Sequence, residues 1–253
     1  KILAFGKSSS RSSVHRSAYS HYVVVKRFDE AGNSIGEARF MGLHTSQFYD
    51  YSSSRIPILR SKVDHLLANS GFRQDSHDHK ALSAIAESFP RDELLQMPED
   101  ELLEMAIGIW QIYQRNLTKV FTYSDPFKKF VSCLIFLPRE SFSSRVRERI
   151  QRTVERFLGA SDSTFVSFFL PESMLVRVYM VFPVTDFSIE TVNSGKLEEI
   201  VAGITANWTD AFNILAVEEI GKQSGLTLSR KYAGSFSEAY KEQYKPVHAL
   251  RDI

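Results

Sequence analysis

One cysteine, Cys133, stands in 253 residues, so an intrachain disulfide framework and a cysteine-rich zinc site are both excluded, and a reducing, cytoplasmic setting is expected. Long apolar runs are missing as well: none approaches the roughly 18 residues that a membrane-spanning helix requires. The apolar stretch inside Lys1–Lys7 is far too short for a signal segment. Charge of one sign is lacking, since 31 basic residues face 30 acidic ones and leave a formal +1. Such a balance gives no global attraction to nucleic acid or to an anionic membrane, so neither is expected as a partner. Gly-x-Gly-x-x-Gly and Gly-x-Ser-x-Gly are both absent, which removes a dinucleotide fingerprint and a hydrolase elbow. The chain opens without Met on a strand-like run and reads as a piece of a longer polypeptide.

What is present suffices for a sizeable core, with 43% hydrophobic residues and a length that suits two ordinary domains. The stretch Phe121–Pro138 organises the rest. Leu117–Tyr123 and Phe130–Leu137 read as strands joined by a turn at Ser124-Asp125-Pro126, and the second is apolar enough to be central and covered on both faces. Before it, Ile2–Phe5 reads as a strand, Gly6–Ser13 as a polar basic loop, and Tyr22–Phe28 with Ile35–Leu43 as a hairpin. Helical patterns follow: a turn at Thr45–Tyr51, a helix from Pro57 to Asn69, a helix capped by Ser76 or Asp78, a short turn at Arg91–Leu95, and a longer helix from Pro98.

Beyond the hairpin, an amphipathic helix runs from about Ser141 to Leu158, with Phe142, Val146, Ile150, Val154, Phe157 and Leu158 on one face. Two strands, Thr164–Leu170 and Met174–Phe182, come next. Lys196–Lys222 reads as mostly helical, with one buried stripe from Leu197 to Leu215, and Ser229–Tyr244 as helical too. The order ββαββα from Leu117 onward becomes βαββαβ when its first strand is moved to the end. An α+β fold is therefore expected, its second half a ferredoxin-like four-stranded antiparallel sheet with two helices on one face.

Few constellations carry chemistry. Gly6-Lys7-Ser8 lacks the upstream glycine of a phosphate-binding loop, since Lys1 stands there, and reads as a solvated loop. His77-Asp78-His79 with Asp75 is the best metal candidate, but imidazoles two residues apart diverge on a helix, so a capping loop is the better reading. His15 with Arg11 and Arg16 can grip an anion or form an ordinary basic surface. Cys133, inside the apolar strand, reads as an inert buried thiol. The five arginines Arg145, Arg147, Arg149, Arg152 and Arg156, beside Phe121, Tyr123, Phe127, Phe130, Phe165 and Phe168, suggest an RNA-binding module as an alternative. No RNP-type pattern occurs, and Glu148 and Glu155 make a salt-bridged helix surface the simpler account. No catalytic, cofactor-binding or metal residue is assigned.

Several phrases resemble a known family: Arg11-Ser12-Ser13-Val14-His15-Arg16; Val25–Asp29; Gly36–Leu43; Ile56–Val63; Ser76-His77-Asp78; Pro90–Leu94; and Asp125-Pro126-Phe127 through Val131–Leu134 to Pro138-Arg139. In order, they resemble the large bacterial NAD-specific glutamate dehydrogenases, whose long N-terminal region holds PAS-like and ACT-type modules. The resemblance implies the later part of a PAS-like module plus a helical segment over 1–116, an ACT-type ferredoxin-like module over 117–225, and a helical linker over 226–253. It also implies a parent enzyme that oxidatively deaminates L-glutamate to 2-oxoglutarate and ammonia with NAD, its catalytic groups and cofactor site lying outside this piece. A regulatory or assembly role, contacts with the rest of the subunit, a homo-oligomer and an amino-acid effector are the expected associations. A stand-alone protein-interaction module is the alternative. Leu137–Ser141 has no glycine of the kind found in amino-acid-binding ACT loops, so no ligand residue is carried over.

Overall fold

The computed structural model describes residues 2–14, 18–113, 115, 117–169, 173–185, 192–205 and 208–253, with backbone alone for 210, 238, 239 and 242. Strands β1 (Leu3–Arg11), β2 (Tyr19–Phe28) and β3 (Ser34–Gly42) form an antiparallel sheet in that order. Between β2 and β3, Asp29 Oδ1 accepts from the Asn33 backbone N–H at 2.7 Å, and Gly32 supplies the positive φ of 84° that closes the turn. The loop expected over Gly6–Ser13 is corrected, because β1 continues to Arg11 and pairs Lys7 with His21. Two features hold this polar run in a strand. A Cβ at Gly6 would lie 2.7 Å from the rings of Tyr22 and Phe127, so glycine permits the approach, and Lys7 finds an acidic partner in the next layer.

A helical layer follows: α1 (Ser46–Asp50), α2 (Pro57–Asn69), α3 (His77–Ser88), α4 (Arg91–Gln96) and α5 (Glu99–Tyr113). Pro57 opens α2, where its missing N–H costs nothing, and Ser76 caps α3 by accepting from the His79 N–H at 3.1 Å. Lys62 is 8% exposed, and its Nζ donates to the carbonyls of Leu94, Leu95 and Met97 at 3.0, 2.8 and 2.6 Å. A buried cation thus satisfies the open carbonyls at the end of α4 and fixes that short helix against α2.

The second sheet comprises β4 (Lys119–Ser124), β5 (Phe130–Pro138), β6 (Thr164–Phe169) and β7 (Leu175–Pro183), with α6 (Ser144–Leu158) between β5 and β6. Its order is β4-β5-β7-β6 and every pairing is antiparallel, the ferredoxin-like arrangement that the ββαββα order implies. Asp125 makes the β4–β5 turn: its carboxylate accepts from the N–H groups of Phe127, Lys129 and Phe130 at 3.1, 2.5 and 2.7 Å. Along β5, side chains alternate between two cores. Phe130, Leu134 and Phe136 enter the cluster shared with α2–α5, while Val131, Cys133, Ile135 and Leu137 meet α6 and α7 (Ser194–Thr205). The strand is covered on both faces, as its unbroken apolar run implies. The first of these clusters draws residues from both sides of position 116.

Helix α6 begins later than the pattern suggests, at Ser144, because Ser143 caps it from the Val146 N–H at 3.1 Å. Gly159 ends it with φ 65°. Of the loop expected at Pro171-Glu172-Ser173, and of Leu170 before it, positions 170–172 lie outside the described residues. The stretch Lys196–Lys222, expected to be mostly helical, is helical in α7 and in α8 (Trp208–Ile220), with positions 206 and 207 outside the described residues. The stripe divides between two cores: Leu197 and Val201 belong to the sheet's core, whereas Trp208 and Phe212 stack at 5.3 Å in a third cluster with Phe236 and Tyr240. The helix expected over Ser229–Tyr244 is likewise α9 (Lys222–Tyr232) and α10 (Glu238–Gln243), the latter capped by Ser237, with α11 (Pro246–Arg251) following.

Candidate ligand site

The face of the second sheet turned away from α6 carries a group of buried polar side chains, among them Glu93, Lys7, Ser132 and Arg177. Helix α4 is the device that gathers it. Pro90 precedes the helix, and its first turn sends Arg91 and Asp92 toward a cleft and Glu93 into the interior, where that carboxylate is 1% exposed. Glu93 Oε1 accepts from Lys7 Nζ, from Ser132 Oγ at 2.7 Å and from the Tyr179 hydroxyl at 2.5 Å. Burial first, then the charges of Glu93 and Asp92, push the Tyr179 phenol well above its ordinary range, so it stays a donor.

Beside this network lies a cleft of about 600 Å³, bounded by β1 and β2, by the Glu87–Asp92 segment and by β6 and β7. Phe89, Val166, Phe168 and Val181 supply apolar wall, and Arg91 and Arg177 supply cations. Its volume and mixed lining are those of a small-molecule site. Arg177 is 3% exposed, with Nη1 on Ser88 Oγ at 3.2 Å and its guanidinium 4.5 Å from the centre of the Phe168 ring. Burial lowers its pKa from the usual arginine value, against a smaller opposing influence of Tyr113, but leaves the group cationic.

Asp92 sits at the cleft's other end. His21 Nε2 lies 3.1 Å from its Oδ2, and the Tyr49 hydroxyl donates to Oδ1 at 3.1 Å. Burial alone would raise this carboxyl, but His21, Lys7 and Tyr49 outweigh it and hold the group at about 2. A carboxyl depressed in the folded state stabilises the fold above its unfolded pKa and loses that contribution as pH falls through the folded value. Asp92 is therefore expected to contribute roughly 2 kcal/mol at neutral pH, lost between about pH 4 and pH 2. In thermal melts, Asp92→Asn should be less stable than the parent near pH 6 and converge with it near pH 2; parallel curves would contradict this assignment.

His21, His44 and Asp92 are also the described residues that come together as potential metal ligands, with donor atoms within 4.8 Å of one another. Tetrahedral zinc needs donors about 3.4 Å apart, and Asp92 already takes the Tyr49 hydrogen bond, while His44 stacks between His21 at 4.7 Å and Phe48 at 4.2 Å. The arrangement as it stands is a hydrogen-bonded and stacked cluster.

The residues singled out from sequence fall elsewhere. His77 points outward on α3, 94% exposed, with Nδ1 3.8 Å from Asp78, and it does not converge with His79 and Asp75. Arg11 pairs with Asp162 and lies over the Tyr19 ring at 4.9 Å, while His15 and Arg16 lie outside the described residues. Cys133 is 0% exposed, and burial pushes its thiol up to about 12, the state of an inert side chain. Of the aromatics weighed as a stacking platform, Tyr123 and Phe130 are buried, while Phe165 stays 43% exposed with the Arg147 guanidinium 3.8 Å from its ring centre. Lys7, Glu93, Arg177 and Tyr179 were missed by sequence reasoning. One signal was available: Arg177 is the lone charge within the apolar run Leu175–Phe182, and a charge at the centre of a buried strand requires an explanation.

Three family models match the chain in order. They are described as glutamate dehydrogenase helical motif 1 over residues 56–115, ACT2 domain over 119–209, and helical motif 2 over 215–253. The chain is similar over its whole length to proteins named NAD-specific glutamate dehydrogenase from Pseudomonas aeruginosa, 37% identical over 252 residues, and from Halomonas elongata, 33% over 255. A protein of the same name from Mycobacterium tuberculosis is 24% identical over 266 residues. The chain spans 16% of the length of each of these relatives. No helix among the described residues is long and apolar enough to cross a membrane.

Proposed function

Because the chain belongs to the family of the NAD-specific glutamate dehydrogenases, we propose that it is a non-catalytic regulatory and assembly region of such an enzyme. The full-length protein would be a cytoplasmic homo-oligomer that oxidatively deaminates L-glutamate to 2-oxoglutarate and ammonia with NAD. Within it, residues 1–116 would provide the later part of a PAS-like module and its helical segment, 117–225 the ACT-type module, and 226–253 a helical link onward. The observation that carries the reading is the ACT2 match laid over a four-stranded sheet whose two faces both pack against helices. An effector such as an amino acid would act by preferring one arrangement of the layers around that sheet, since a ligand shifts a conformational equilibrium only by its difference in affinity for the two states.

Deleting residues 119–209 from the full-length polypeptide provides the test. The deletion is expected to change oligomeric mass in light scattering, or the response of nicotinamide reduction to added amino acids. The isolated chain should leave NAD unreduced in the presence of L-glutamate. A deletion that alters neither assembly nor response would remove the regulatory reading, and reduction by the isolated chain would overturn its non-catalytic character.

A further inference from the structure

Among the described residues, the ion pairs around the cleft leave the Arg177 guanidinium without a carboxylate. Lys7 is paired with Glu93 and Arg91 with Glu87 at 2.8 Å, and His21 Nε2 lies 3.1 Å from Asp92, but no carboxylate pairs with Arg177 among the described residues. Its Nη1 has the Ser88 hydroxyl and its π-face has Phe168, while its Nε has no hydrogen-bond partner. Nη1 of Arg91, another cleft-lining guanidinium, is buried without a partner too. A permanent cation at 3% exposure, in a wall otherwise built from Phe168, Val166 and Val181, is costly unless an anion joins it. A guanidinium edge with free N–H groups fits a planar carboxylate in particular.

We propose that this cleft binds a small organic carboxylate, its negative charge taken by Arg177 and its apolar part lying along Phe168, Val166 and Val181. The site lies between β6–β7 and the Glu87–Asp92 segment, on the sheet face away from α6 and α7. Occupation would tie the second sheet to α3 and α4, because Ser88 and Arg91 stand on the opposite wall. The inference rests on the regulatory reading for its effect on the enzyme, but binding itself does not depend on that reading.

Calorimetry on the 253-residue chain tests it with 3-phenylpropionate, L-phenylalanine and L-glutamate, the first two beside their carboxamides. At least one carboxylate should bind in the millimolar range or tighter, and at least about tenfold more weakly as its amide or α-amide. Arg177→Met, which fills the same space without charge, should lose that binding by at least about tenfold while its melt stays cooperative. If the variant does not fold, the comparison of acid with amide on the unaltered chain decides the matter. Absence of binding by all three acids, equal binding of acid and amide, or unchanged affinity in a folded Arg177→Met variant would each overturn the proposal. A bound carboxylate with no influence on the full-length enzyme would leave the site standing and count against the regulatory reading alone.

Discussion

Glu93→Leu is expected to destabilise the protein by about 3–5 kcal/mol and to lower its Tm by roughly 10 °C. The side chains are similar in volume, so the loss comes from charge rather than from a cavity. Removing the carboxylate deprives Lys7, which is 3% exposed, of its ion pair, leaving it the Tyr179 hydroxyl at 3.2 Å and the less direct charge of Asp92, and it also frees Ser132 Oγ. A buried ammonium without an anion is among the costliest defects a core can carry, whereas an apolar pair in the same place can be neutral. The double variant Lys7→Met/Glu93→Leu should therefore recover most of the lost stability. Chemical denaturation of the four proteins in a double-mutant cycle gives the coupling directly. If the double variant is as unstable as the single one, the buried pair is not the origin of the loss.

Phe136→Ala should cost a comparable 3–5 kcal/mol by a different route. Its ring is 0% exposed and meets Tyr113 of α5 and Phe121 of β4 edge-on, at centroid distances of 6.2 and 6.0 Å. Truncation opens a cavity where the helical layer meets the sheet. Since the same strand sends Ile135 to the opposite core, the damage should not stay local. Urea unfolding monitored by Trp110 fluorescence in a Trp208→Phe background and by far-ultraviolet dichroism should move to lower denaturant in a single step by both probes. Separate transitions would mean that the helical layer and the sheet melt independently, against the shared cluster described above.

These two positions also mark what could be read in the residues alone and what could not. Phe136 was legible because a run such as Val131–Leu137 leaves a strand few places to lie except between two layers, and the element order then supplied the sheet's topology. Pro57 and Ser76 were legible because caps act within one turn of the chain. Glu93 and Lys7 were not, since they are 86 positions apart and each looks like a surface charge in its own window. The cleft failed for the same reason: it is assembled from β1, β2, the α3–α4 link, β6 and β7, and no local period encodes such a meeting. That the stripe from Leu197 to Leu215 serves two cores was not legible either, because helical spacing reports which side of a helix is apolar, not which core receives it.

The alternation along β5 bears on how this chain tolerates changes of length. A single residue inserted just after Ser132 would exchange the two sets of side chains beyond it, sending Leu134 and Phe136 toward the space beneath α6 and Ile135 and Leu137 toward the helical layer. A substitution there, even a costly one such as Phe136→Ala, leaves the other side chains on their own faces. An insertion or deletion moves every one of them, so length variation in this region belongs in the loops on either side of the strand.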